Sequence, residues 1–213
     1  MQMPRPQNAR RAPGRPRAFD LDTALDGALV VFRQRGYHGA SLSDLCGATG
    51  LTPGSIYKAF SGKRAVFLAA FERYRAVRDA EIRAAIEPAE TGFGKVEALL
   101  RSYADISAGR EGRFGCLVTG SAVEISTFDA EMADGVGAAI DRIERLLGSL
   151  IREGMADGTI DSSVDPDAAA LHLLSVLQGF RVIGKLGRSR DAFLAAVDHA
   201  LIALRPETRT HPS

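Results

Sequence analysis

The chain is poor in the residues that build covalent or metal-clipped scaffolds. Among 213 residues only Cys46 and Cys116 are cysteines, too few and too far apart for a disulfide framework or a zinc cluster. His172 and His199 stand isolated on apolar stretches, without cysteines or acids at ligand spacing, so no metal site is expected. There is no glycine-rich phosphate loop, no Cys–His spacing signal and no pair of carboxylates placed for acid–base work, so neither an enzyme nor a bound cofactor is expected. No run approaches the roughly 18 consecutive apolar residues that a membrane span needs. The basic, proline-rich start leads into Asp20, Asp22 and Asp26 rather than the apolar core of a signal peptide. A cytoplasmic protein without a membrane partner is the expectation. With 46% hydrophobic and 25% charged residues, collagen-like and disordered chains are excluded as well.

Net charge of one sign is also nearly missing, at +1. The balance is local rather than general. Residues 1–64 hold ten basic side chains against four acidic ones, a surplus of six, which leaves the remainder of the chain at −5. Such asymmetry points one part of the chain toward an anionic partner.

What is present is helical periodicity. Residues 1–18 carry five arginines, four prolines and no acid, and read as a flexible basic arm. Leu21, Ala24, Leu25, Ala28, Leu29 and Phe32 then recur at helical spacing, with Asp20 as N-cap and Gly36 as terminator. Ser41 and Asp44 have the spacing of a capping box, opening a short second helix to about Ala48. A turn at residues 49–51 follows, and Thr52-Pro53 starts a third helix that runs to about Phe60. Ser61 is read as the cap of a long fourth helix striped by Phe67, Ala70, Phe71, Tyr74 and Val77. Beyond Pro88 nothing resembles a strand. Helices are expected at about 94–108, 116–127, 129–153, 165–184 and 190–204, with a glycine-rich stretch at 109–115 and a turn-rich loop at 154–164. The fold class is therefore all-α: a helix-turn-helix head at 19–64, a larger helical body at 65–205 and a tail at 206–213.

The pattern of the head carries a specific resemblance. Phe32-Arg33-Gln34-Arg35-Gly36-Tyr37, Ser41-Leu42-Ser43-Asp44-Leu45, residues 50–60 and Ser61-Gly62-Lys63 together resemble the TetR (tetracycline-repressor) family of bacterial transcription regulators over about residues 19–70. The resemblance implies that Thr52, Pro53, Gly54, Ser55, Tyr57 and Lys58 face the major groove of a double-stranded DNA operator. It also implies that Ser41 and Ser43 approach the backbone and that Lys63 holds a phosphate. Pro53 departs from the pattern, since it offers only apolar contacts, and base readout falls on fewer side chains. Lys58 is read as reaching a guanine edge and Tyr57 a phosphate, with packing into the head core as the other reading of Tyr57. Arg15 and Arg17, in the Pro-Gly-Arg-Pro-Arg run of the arm, resemble a minor-groove hook. The other reading of the arm is a basic tail that adds only salt-dependent attraction.

For the body, the family implies a small-molecule effector and a homodimer through the last two helices. Residues 168–186 are apolar on most of their circumference and need cover on more than one side, from a partner or from the chain itself. Phe71, Tyr74, Tyr103, Cys116, Met132 and Gln178 are the candidate ligand-binding side chains. Cys116 falls at an expected helix start near Arg110 and Arg113, an environment that lowers a thiol pKa. Two readings of it stay open, an electrophile or redox sensor and a buried inert thiol. The function that follows is an effector-responsive repressor binding a palindromic operator as a dimer. The alternatives are a thiol-based sensor and a DNA-organising protein without an effector.

Overall fold

A computed structural model describes residues 21–124 and 129–206 of the chain. Arg15 and Arg17, the rest of the basic arm and the Asp20 cap lie outside the described residues. The order of elements is α1 (Leu21–Gly39), α2 (Leu42–Thr49), α3 (Pro53–Phe60), α4 (Lys63–Ile86), α5 (Gly92–Ser107), α6 (Gly109–Phe114), α7 (Leu117–Glu124), α8 (Ala130–Ala156), α9 (Pro166–Ile183), a 3₁₀ turn (Gly184–Leu186) and α10 (Arg190–Ile202). No strand occurs among the described residues, and the all-α expectation holds.

The head forms as its capping chemistry dictates. Ser41 Oγ accepts the Asp44 amide N–H while the Asp44 carboxylate accepts the Ser41 N–H, so both orphan donors at the start of α2 are satisfied. Gly50, in the left-handed region at φ 69°, closes α2. Thr52 caps α3 by accepting from the Ser55 N–H, with Pro53 at the first helical position where no amide is missed. Gly36, at φ 73°, breaks the helical dihedrals of α1 as expected of a terminator, and the chain then resumes a last turn to Gly39.

Other expectations need correction. Ser61 does not cap the fourth helix; it closes α3 in the left-handed region at φ 59°. Gly62 then precedes α4 with no side-chain cap. Val77 is exposed, off the buried stripe of α4. The glycine-rich stretch at 109–115, left outside the expected helices, holds a short helix, α6. α8 continues past 153, and Gly154 is a buried helical residue rather than part of the loop. The reason is a close crossing: a Cβ on Gly92 of α5 would stand 2.0 Å from the Gly154 amide nitrogen.

Two apolar clusters hold the molecule. One joins α1, α2 and α3 through Leu25, Ala28, Phe32, Leu45 and Ile56 to Phe67, Phe71 and Tyr74 of α4, and on to Leu117, Met132 and Val136. The other fills the body, with Leu99, Leu100, Leu147, Ile151, Leu177, Phe180 and Phe193 at its centre. By length and composition alone, Pro166–Leu186 is apolar enough to cross a membrane, at a mean hydropathy of 1.2. Its Leu173, Leu174, Leu177 and Phe180 are instead buried in the chain's own core, and Leu171, Val182 and Ile183 face outward.

The α5–α8 crossing yields the first prediction. Gly92→Ala forces a methyl group into backbone atoms that cannot rotate away. It should destabilise the protein by about 1–3 kcal/mol, read as a lower denaturant midpoint at unchanged slope.

Candidate nucleic-acid interface and effector cavity

The start of α3 is built to be approached. Thr52, Pro53, Gly54, Ser55, Tyr57 and Lys58 are all exposed, while Ile56 alone turns inward and is fully buried. Tyr57 is 59% exposed, which removes the reading that it fills the head core. Ser43 is exposed on α2, whereas the Ser41 hydroxyl is engaged in its capping box, donating to Asp44 at 2.7 Å. The Lys63 ammonium donates to the Ala40 carbonyl at 2.7 Å and lies 4.6 Å from the centroid of the Tyr37 ring. It therefore pins the α1–α2 turn to the start of α4, and a phosphate would have to share it.

Besides the exposed pairs Arg64–Asp129 and Arg73–Asp26, the head is tied to the body at both ends of α7. Arg33 of α1 reaches across to the segment after α6, donating to the Gly115 carbonyl from Nε at 2.8 Å and Nη2 at 2.6 Å. It also donates to the Glu111 carboxylate at 2.8 Å. At the far end of α7, the Glu124 carboxylate accepts the Tyr37 and His38 amide N–H groups at 2.8 and 2.6 Å. Both amides follow the break in helical dihedrals at Gly36, and a side chain there instead of glycine would collide with Glu124 at 2.4 Å. One short helix thus has its start beside the body and its end clamped on the head.

A narrow cavity of about 60 Å³ lies between α4, α5, α8 and α9, beside the start of α7. Tyr74, Tyr103, Cys116 and Gln178 line it, together with Ile82, Ile106, Ile140, Ile143, Arg78 and Arg181. Two expected ligand residues are not there. Phe71 stacks on Phe67 at 5.9 Å and Met132 is 2% exposed, and both belong to the apolar cluster between head and body. Cys116 directly precedes α7, and its sulfur accepts the Thr119 amide N–H and the Tyr74 hydroxyl at 3.5 Å each. Burial pushes this thiol up, but Arg181 and the Thr119 and Tyr74 donors outweigh it, leaving its pKa below the ordinary value. The cation responsible is Arg181 from α9, not Arg110 or Arg113 from the neighbouring sequence; Arg110 stacks over Phe114 instead. Burial holds the Tyr74 hydroxyl protonated, its pKa raised to about 12. The described residues contain no group of three His, Cys, Asp or Glu side chains placed to hold a metal ion.

Arg33, Glu111, Glu124 and Arg181 were not among the site residues expected from sequence. The visible signal for Arg181 was a single arginine within an otherwise apolar helix, a position that demands a purpose. Arg33, Glu111 and Glu124 carry no such mark.

An exposed, doubly capped helix in a helix-turn-helix head, joined by hydrogen bonds to a helical body with a cavity, defines a DNA-binding transcriptional regulator. Residues 92–200 match the tetracyclin repressor-like C-terminal domain, and residues 24–70 match the bacterial regulatory proteins of the tetR family. The repressor ComR of Escherichia coli (strain K12) is 27% identical over 192 residues, covering 88% of this chain and 90% of its own. A cysteine mutant of the TetR family regulator CifR, solved in complex with 26-base-pair operator DNA, superposes with a TM-score of 0.80. It is 35% identical, and the match covers 89% of this chain and 99% of that one. A TetR regulator from Chloroflexus aurantiacus shares the fold at a TM-score of 0.76 and 24% identity, over 84% of this chain and 90% of its own. The chain belongs to the TetR family of bacterial regulatory proteins.

The junction at Glu111 should report itself in pH. Burial pushes its carboxyl up, but the Arg33, Arg78 and Arg181 charges hold it below the usual carboxylate range. Its stabilising contact is then fully present above the unfolded value of about 4.3 and is lost as pH falls through the lower folded value. Glu111→Gln should lower Tm at pH 7 by about 2–4 °C, a small effect because the side chain is 37% exposed. The gap between variant and wild type should close below about pH 4 in a pH series of thermal melts.

Proposed function

We propose that the protein is a cytoplasmic repressor that grips a palindromic operator as a homodimer and releases it when a small molecule occupies the cavity of the body. The observation that carries this reading is the start of α3, where six exposed residues surround a single buried anchor, Ile56. Small residues at Thr52, Gly54 and Ser55 let the helix end enter a major groove, and the amide N–H groups at such an end favour phosphate. Lys58 is assigned to a base edge and Tyr57 to the backbone, with Ser41, Ser43 and Lys63 along the flanking phosphates. Arg15 and Arg17 of the arm, residues 1–18, are assigned to the adjoining minor groove. The head is taken as 19–64, the body as 65–205 and the tail as 206–213.

Two heads have to meet half-sites about one helical turn, roughly 34 Å, apart. Leu171, Val182 and Ile183 on α9, Leu186 after it and Ile202 on α10 are large apolar side chains left exposed, and a second copy of the chain would cover them. The effector acts by binding one spacing of the heads better than the other, through Gly115 and Glu124, the ties between body and head at the two ends of α7.

Selection of bound duplexes followed by footprinting tests the reading. Discrete, two-fold symmetric protection supports it, and uniform coating would instead identify a DNA-organising protein. Lys58→Ala is expected to weaken the selected duplex about tenfold or more and to relax preference at one position of each half-site, read by titration against single-base variants. Val182→Glu buries a charge in the dimer surface and should shift the protein to monomer in sedimentation, with loss of operator affinity.

A second reading is favoured by the place of Cys116 on the cavity wall and its lowered thiol pKa: the effector is an electrophile that alkylates this sulfur. Cys116→Ser should then abolish release by alkylating agents while leaving operator binding intact. Unchanged release from the variant eliminates covalent sensing.

A further inference from the structure

The cavity wall holds a buried cation that no carboxylate among the described residues pairs with directly. Each carboxylate on or beside that wall is already committed. Asp79 pairs with Arg142, Glu81 with Arg78, Glu72 with Arg75, and Glu111 with both Arg33 and Arg78. Arg181 is 2% exposed and has no carboxylate partner among the described residues. Besides the Cys116 sulfur, its hydrogen-bond partners are uncharged oxygens, and those bonds are uneven. Nη1 donates to the Ile106 carbonyl and to Ser107 Oγ. Nη2 has only long contacts, 3.3 Å to the Gly115 carbonyl and 3.5 Å to the Tyr74 hydroxyl. Nε has no hydrogen-bond partner at all, and on the same wall the Nε of Arg78 is also unpartnered. A guanidinium drawn out of water without a counter-charge is costly, and an unmatched N–H adds to the cost. The Nε–Nη2 edge is the side-on fork that takes a carboxylate with two parallel hydrogen bonds. Ile82, Ile106, Val118, Ile140 and Ile143 give the wall a large aliphatic part, beside Tyr103, Ser102 and Gln178.

We propose that this cavity is a site for a small organic anion, a carboxylate on a compact apolar body, whose carboxylate takes the Nε–Nη2 edge of Arg181 and whose body lies against the isoleucines. Its role as the effector rests on the regulator reading above. The space of about 60 Å³ limits the ligand to a short or single-ring acid unless the wall moves. Occupancy has a direct route to the head. The Nη2 group that turns to the ligand is the one bonded to the Gly115 carbonyl, and Gly115 is the same acceptor that Arg33 of α1 holds.

The test uses the wild-type protein and two reagents of nearly equal size, iodoacetate and iodoacetamide. Each is attacked by the thiolate at its CH₂ carbon; a C–S bond forms, iodide leaves, and the thiol proton goes to buffer. Cys116 shares the cavity with Arg181, and both are bonded to the Tyr74 hydroxyl. Cys46, in the head, is the internal reference. Site-resolved mass spectrometry should give an iodoacetate-to-iodoacetamide rate ratio at Cys116 about tenfold above that at Cys46. Arg181→Gln should abolish the excess and Arg181→Lys should retain part of it. An equal or lower ratio at Cys116, or no reaction there with either reagent, overturns the anion site.

A second measurement needs no variant. Butyrate, hexanoate, octanoate and benzoate are each compared with their amides for a rise in Tm and for release of the selected operator. At least one acid should raise Tm where its amide does not, whereas amides equal to the acids in this respect overturn the proposal. If an acid binds in this charge-dependent way yet leaves operator affinity unchanged, the anion site stands and the effector reading falls.

Discussion

The carbonyl oxygen of Gly115 accepts hydrogen bonds from Arg33 of α1 and Arg181 of α9, so one backbone atom joins the DNA-facing head to the inside of the body. The geometry depends on glycine. Gly115 sits at φ 78°, and a Cβ there would press on Lys185 at 2.9 Å. With the carbonyl so placed, Arg33 also takes Glu111, Arg78 shares the same Glu111 oxygen, and the chain is turned so that Cys116 enters the cavity wall just before α7. The head therefore does not hang from the body by α4 alone. It is held at the start of α7 by Arg33 and at the end of α7 by Glu124.

Arginine does this work for a physical reason. Its fork reaches two acceptors at once and stays charged when it is partly dehydrated, so a single side chain can bridge a carbonyl and a carboxylate on different elements. Arg64 does the same between α4 and α8, contacting Asp129 and Glu131, and Arg73 between α4 and α1, contacting Asp22 and Asp26. These outer pairs are solvated and individually weak. Arg33 and Arg181 differ because water has been largely removed from around them, and there the loss of one partner leaves a donor stranded.

The head was legible in the sequence because its determinants are local. Ser41 with Asp44, Thr52 before Pro53, and Gly36 and Gly50 at turns are all relations within three or four residues, and each appears in the structure as its chemistry requires. Misreadings arose where a local rule had two solutions. Ser61 suits a helix start by type, yet the left-handed backbone at the end of α3 claimed it. Gly154 is a turn residue by type, yet α8 runs through it because Gly92 of α5 needs the space. In the body, an aromatic or a methionine at helical spacing looks the same whether it lines a cavity or fills a core. Tyr74 and Tyr103 therefore line the cavity while Phe71 and Met132 do not.

The sequence by itself determined the helical class, the capped helix-turn-helix and the charge division between a basic first part and an acidic remainder, since those follow from spacing, capping and counting. Tertiary structure alone decided which cation meets Cys116, because Arg181 lies 65 residues away in the chain and Arg110 and Arg113 are close only in sequence. It also decided that Glu124 closes the broken end of α1, and that Arg181 inside the body pairs with no carboxylate among the described residues and keeps an Nε without a hydrogen-bond partner. Electrostatic partnership in a folded chain is set by distance through space and by the removal of water, and neither is written in the order of residues.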